Sequence, residues 1–217
     1  MGVPPSWTRA AADSREFSPR NDALFKAFAT RRRRLVLAVL LDATEAVSVE
    51  TLAELVAARD GDADPGTVAV SLPHVEFPIL EAAGLVVWSP AGVELTDLFW
   101  ASDRCRALRQ LLDTSYPPDE VDAALGLLAD PTCRTVLEQL ATYERLSVAE
   151  LARSVVLDQP LAVATPDRVQ RVTLALRHNH VPKLLDVGIV EQADTLHYVG
   201  TPVLDEWWPG VAETLSR

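Results

Sequence analysis

Arg168, Arg171 and His178 are the residues whose types and spacing point most directly to chemistry. At about 100° per residue they project from one face of an ideal helix, while Val169, Val172, Leu176 and Leu184 gather on another, roughly opposite. Arg177 and Lys183 flank the basic face. Such side chains, turned away from a core, can bond the phosphates and base edges of a duplex; the alternative is a solvated face with no target. The densest basic run is "RRRR", Arg31 to Arg34. A run of this kind can bind phosphate, which makes Arg31, Arg32 and Arg33 candidate phosphate contacts. Cations at a helix N-terminus sit badly with the macrodipole, so pairing with acids or a place along a domain interface is the competing expectation.

Other chemistries find little support. His178 and His180 are two apart, so on a helix they point about 160° away from each other and cannot easily share a metal. His180 falls near the apolar face and reads as a satisfied core residue. Cys105 and Cys133 lack CxxC spacing and read as buried thiols. Neither a metal nor another cofactor is expected. "DGDADPG" hints at a calcium loop but lacks the later bidentate glutamate, and its Asp62 and Asp64 lie in a polar loop. No phosphate-binding, dinucleotide, nucleophile-elbow or zinc-protease motif occurs, so the chain does not read as an enzyme.

The chain has 217 residues and a net charge of -11, and Lys26 and Lys183 are its lysines. A surface rich in Asp and Glu and poor in lysine suits a cytoplasm at molar salt, which points to a halophilic archaeal source; an ordinary acidic protein is the alternative. At about 1 M salt the screening length is roughly 3 Å, so long-range repulsion of DNA largely vanishes. The same salt weakens counterion-release affinity, and binding must lean on base contacts and shape. The longest apolar run, Leu35 to Leu41, is far short of the roughly 20 residues of a bilayer span. Residues 1–18 lack signal-peptide character and read as a flexible leader on a cytoplasmic protein.

The elements that must hold these residues come twice. Arg34, Leu37 and Leu40 recur as Arg134, Leu137 and Leu140; Ser48, Leu52 and Ala53 as Ser147, Leu151 and Ala152; His74, Pro78, Leu80, Gly84 and Val86 as His178, Pro182, Leu184, Gly188 and Val190. Two copies are too few for a solenoid and read as a duplicated domain. In copy one, Arg32 to Asp42 has helical periodicity, with Leu35, Val36, Val39 and Leu40 as its stripe. Ser48 caps the next helix, and Ser147 with Glu150 forms a capping box at the matching place. A third helix opens at Asp64-Pro65 and Thr165-Pro166, a capping side chain before a proline at the first helical position. Pro78 and Pro182 predict a kink or a split within it, and Gly84 and Gly188 end it. The segments "LVVWSPAGVEL" and "IVEQADTLHYV" then read as hairpins. Between the copies, Leu98, Cys105, Leu108 and Leu112 pattern a bridging amphipathic helix, and Trp207 and Trp208 read as packing against a domain or a partner.

"LADPTCRTVLEQL" (Leu128 to Leu140) resembles the first core helix of arsenical-repressor-type winged-helix regulators. "LRHNHVPKLLDVGIV" resembles the end of their recognition helix and the entry to the wing. The twice-used H-x-H/E-x-P-x-L form looks like an uncharacterised haloarchaeal winged-helix-like domain family. The resemblance spans Ala23 to Thr96 and Val121 to Val199. It implies a mostly α fold with small β hairpins: tandem duplicated winged helix-turn-helix domains joined by an amphipathic helix. The expected boundaries are a leader at 1–18, domain 1 at 19–97, a bridging helix and linker at 98–118, domain 2 at 119–204 and a packing segment at 205–217. The second helices lack the cysteines of metal-sensing members of the arsenical-repressor type.

Copy one has no lysine or arginine from Asp60 to Asp103, and its third helix would repel a duplex. The resemblance and the charge pattern therefore imply a transcriptional regulator. Domain 2 would read double-stranded DNA through Arg168, Arg171, Arg177, His178 and Lys183, and domain 1 would mediate homodimer or partner assembly without any membrane role. The rival reading is a protein-interaction or scaffold protein that kept the fold without binding DNA, for which an exposed apolar patch around Trp88, Trp100 or Trp207 would be the sign.

Overall fold

The computed structural model describes residues 19–61, 63–100, 109, 112, 115–158 and 163–204. They are mostly helical, with small antiparallel β elements, and fall into two units, one ending at Gly126 and the next starting at Leu127. The leader at 1–18, Asp62, Cys105, Leu108, Trp207, Trp208 and the side chains of Leu98 and Trp100 lie outside the described residues. No helix among the described residues is long and apolar enough to cross a membrane.

The first unit runs α1 (Pro19–Phe28), α2 (Arg31–Asp42), α3 (Val49–Asp60) and α4 (Pro65–Ser71), then a π-helical turn (Leu72–Glu76) that leads directly into α5 (Phe77–Ala82). The hairpin β1 (Val86–Ser89) and β2 (Gly92–Leu95) and the short α6 (Asp97–Trp100) follow. Leu35, Val36, Leu37, Val39 and Leu40 of α2 are all buried, the expected stripe plus Leu37. They meet Leu52 and Val56 of α3 and Leu72, Phe77 and Leu80 of the third helix in one core. Ser48 caps α3 by accepting from the Thr51 N–H, and Asp64 caps α4 by accepting from Thr67 at 2.8 Å. Val47 bridges to Val93 beside the hairpin. That closeness explains Gly92, whose φ is +131° and where a Cβ would lie 2.7 Å from the Val47 carbonyl oxygen.

The same order then recurs. After α7 (Pro118–Leu128) come α8 (Pro131–Tyr143), β3 (Arg145–Leu146), α9 (Val148–Leu157) and α10 (Pro166–Ala175); a second π turn (Leu176–His180), α11 (Val181–Asp186), β4 (Val190–Gln192) and β5 (Leu196–Tyr198) follow. The strand order is β3-β5-β4, all antiparallel. Ser147 and Glu150 form the reciprocal capping box. Thr165 departs from expectation: its backbone is that of a cap, but its exposed side chain makes no capping bond. Residues up to Gly126 pack with the first unit. Most of α7, assigned by the sequence to the second domain, thus belongs with the first, where Asp122 takes Arg34 at 2.7 Å.

The two prolines neither split the third helix nor end it. In each unit the residue before proline, Phe77 or Val181, donates its N–H five residues back, to the carbonyl of Leu72 or Leu176. A proline inside an α-helix lacks a donor and its ring collides with the carbonyl four residues earlier. The wider turn opens the helix where that collision would fall, so the chain stays helical through the proline. Gly84 and Gly188, with φ of +67° and +72°, then end the helix as expected; the following residues, Leu85 and Ile189, donate back to Leu80 and Leu184.

Candidate nucleic-acid interface

The third helix of the second unit buries nothing until Leu176. Its first three turns lie on the unit through half-buried Val169, Val172 and Thr173, leaving the outer side to water. Gln170 and Arg171 are exposed there, followed by Leu174 at 50% exposure, then Arg177, His178 and Asn179, all exposed. Arg168 is half-buried. Lys183 is exposed on α11, one turn past the π turn. A π turn advances the chain by less than the 100° per residue of an α-helix, so His178 lags the position an ideal helix gives it relative to Arg171. Arg171, Arg177 and His178 thus share a broader exposed surface with Gln170 and Asn179, whose amides can read base edges. Sequence reasoning overlooked both amides, as well as exposed Arg153 on the adjacent α9 and Arg145 on β3.

The hairpin beside this helix contributes no cation. Its exposed residues are Glu191, Gln192, Ala193 and Asp194, and His197 Nε2 sits 3.3 Å from Glu191.

The first unit has a different surface. Counted back from the π turn, α4 has 7 residues where α10 has 10, so nearly a full turn is missing from its start. Thr67, Val70, His74 and Val75 are exposed on it, with Val70 at 67%. Trp88 on the hairpin is 43% exposed and tilts over Phe77, ring centres 5.2 Å apart.

The arginine run is drawn inward. Arg31 pairs with Asp60 at 3.2 Å, and Arg32 approaches the same carboxylate at 3.9 Å. Arg33 is buried, bonding the Ala27 carbonyl and Glu76 at 3.2 Å, and Arg34 is buried against the Phe28 carbonyl and Asp122. Desolvation lowers the Arg34 pKa against the pull of Asp122. Of the three candidate phosphate contacts, Arg33 therefore has no route to a phosphate, and Arg31 and Arg32 already face an acid. An arginine reaching into the core can satisfy free helix-end carbonyls. Arg134, the counterpart of Arg34, likewise bonds the Leu128 carbonyl.

Cys133 is fully buried, and burial with Asp130 beside it pushes its thiol up to about 12. His180 points inward as expected, with Nδ1 at 3.1 Å from Asp130 and 3.6 Å from Cys133 Sγ.

The model of one family, described as Domain of unknown function (DUF7344), matches residues 25–93 and 125–199. The chain belongs to that family. No curated protein and no solved structure matches it. The two DUF7344 segments cover the two helix–helix–helix–hairpin runs, and each contains one π turn with a proline two residues past its end.

Proposed function

We propose that the chain is a DNA-binding transcriptional regulator built from two winged-helix domains, with the second reading a duplex and the first serving assembly. The observation that carries this reading is the unburied outer face of 166–180, where Gln170, Arg171, Arg177, His178 and Asn179 stand together in solvent. The element order and the strand order β3-β5-β4 support the winged-helix reading. In that reading 166–180 lies in the major groove. With no cation on the hairpin tip, phosphate contacts rest on the helix, Lys183 and the basic side chains of α9 and β3. The lysine-poor, acidic composition fits action in a high-salt cytoplasm, where base contacts outweigh counterion release.

The test is selection of random duplex DNA by the purified protein in about 2 M KCl, where binding depends less on phosphate charge. An enriched motif that Arg171→Ala/Arg177→Ala abolishes is the expected result. Folded protein that enriches nothing would overturn the reading. A second reading, a scaffold without DNA binding, is favoured by the exposed Val70, Val75, Val87 and Trp88 of the first unit, within a stretch, Asp60 to Asp103, that has no lysine or arginine.

A further inference from the structure

Three donor atoms from two helices converge in the second unit. Asp130 is the N-cap of α8 and divides its oxygens: Oδ1 accepts from the backbone N–H groups of Thr132 and Cys133, while Oδ2 faces His180 Nδ1 at 3.1 Å. Cys133 Sγ lies 3.6 Å from that same nitrogen, and the three donor atoms all lie within 4.8 Å of one another. Because both partners meet Nδ1, the arrangement is not a nucleophile–base–orienter chain, which needs the two ring nitrogens to face different partners.

No single tautomer gives all three groups a strong hydrogen bond. With the proton on Nδ1, the imidazole donates to Asp130 and leaves the sulfur a weak contact. With the proton on Nε2, the thiol can donate to Nδ1, but the carboxylate then faces a lone pair at 3.1 Å. A cation at the centre would engage all three donors at once. Tetrahedral zinc, with Zn–S of about 2.3 Å and Zn–N and Zn–O of about 2.0–2.1 Å, sets donor–donor edges of roughly 3.3–3.6 Å. The N···S and N···O separations are close to those edges before any adjustment.

The first unit closes the same place differently. The counterparts of Cys133 and His180 are Arg33 and Glu76, which pair at 3.2 Å; Arg33 also bonds the Ala27 carbonyl, and Glu76 accepts from Ser71 Oγ. Both side chains of that pair are thus bonded, whereas the Thr30 hydroxyl beside α2 is buried without a partner. The second unit replaces this pair with a thiol and an imidazole and adds a carboxylate where the first has Thr30. The Asp130 and His180 side chains are 30% and 16% exposed, which gives an ion a way in.

We propose that Asp130, Cys133 and His180 form a zinc site, with a fourth position open to water, that ties the third helix of the second unit to its first. Binding takes a lone pair from each donor: the Cys133 thiol gives up its proton to solvent, and the imidazole keeps its proton on Nε2. The site stands independently of DNA binding.

The test uses the full chain, stripped with chelator and titrated with Co²⁺ and then Zn²⁺, with helical circular dichroism confirming the fold throughout. One Co²⁺ per chain with thiolate-to-metal charge-transfer absorption, displaced by Zn²⁺, is the expected result. Cys133→Ala and His180→Gln should each weaken zinc by more than the roughly 10–100-fold typical of losing an outer-shell partner. Asp130→Asn preserves the helix cap, stays folded and should still weaken zinc. Cys105→Ala should leave the spectrum unchanged. Folded wild-type protein with no thiolate–cobalt band would overturn the proposal. A band lost in Cys105→Ala but kept in Cys133→Ala would overturn it too, as would unchanged zinc affinity in Asp130→Asn.

Discussion

The two units lay the same backbone over different interiors. Where α2 meets the π turn of the first, a buried arginine and glutamate neutralise each other; where α8 meets the π turn of the second, a thiol, an imidazole and a carboxylate crowd one point. Outside, the pattern changes again: the first unit shows Val70, Val75 and Trp88, and the second shows arginine, histidine and amides. A shared scaffold has thus left its outer helix face and one buried contact free to vary. The shared part of the design is local: an arginine to a helix-end carbonyl, a serine cap, a π turn followed by a proline and a left-handed glycine, present in both units.

The largest expected effect separates the two interiors. Arg33→Ala strands Glu76 as an unpaired buried carboxylate and should destabilise the protein by about 3–5 kcal/mol in urea unfolding, with Arg33→Met/Glu76→Leu recovering most of the loss. A loss below about 1 kcal/mol for the single variant would mean the pair is no lock. A smaller effect should be common to both units. Gly188→Val forces a β-branched residue to φ of +72°, where a Cβ meets nothing within 4 Å, so the cost is backbone strain alone, about 1–3 kcal/mol. Gly84→Val should cost about the same, and unchanged thermal stability in either would move the helix boundary.

The smallest effect belongs to the second unit. Glu138, whose counterpart is Ala38, has its pKa raised to about 7, chiefly by burial and then by Asp158. A raised folded-state pKa favours the protonated form, so its contribution to stability is whole below the unfolded value near 4.5 and is lost as pH rises towards 7. Glu138→Gln should stay flat across that window and be more stable than wild type at pH 8 by about 1–2 kcal/mol, after allowing for partial solvent screening. Identical pH profiles for the two proteins would show that the carboxylate is solvated.

What the sequence revealed was mostly local. Ser48, Ser147, Asp64 and the two glycines act within a few residues of themselves, and they stand where the pattern puts them. The hairpins also stand at the two segments that followed the glycines. The strand at Arg145–Leu146 had no signal, because two residues carry no period. Pro182 marked a disturbance, but the sequence could not say that the helix would widen rather than break. The poor fit of the basic run to a helix N-terminus implied pairing with acids, but the partners of Arg33 and Arg34 are carbonyls and acids brought close only by folding, which no local spacing names. His180 was legible as an inward residue, but its partners Asp130 and Cys133 lie about 50 positions earlier and no local spacing joins them.

The π turn has a consequence for how this fold can change. It offsets the helix: the segment after it is set at a different angle from the one an unbroken α-helix would give it relative to the segment before. The back half carries the anchors, Leu80 in one unit and Leu184 in the other, fully buried in both. The front half runs for 7 residues in one unit and 10 in the other, with Val68 and Val172 in common and different outward-facing side chains. A helix offset this way can exchange its outward-facing vocabulary by insertion and substitution while the seat it rests in stays fixed.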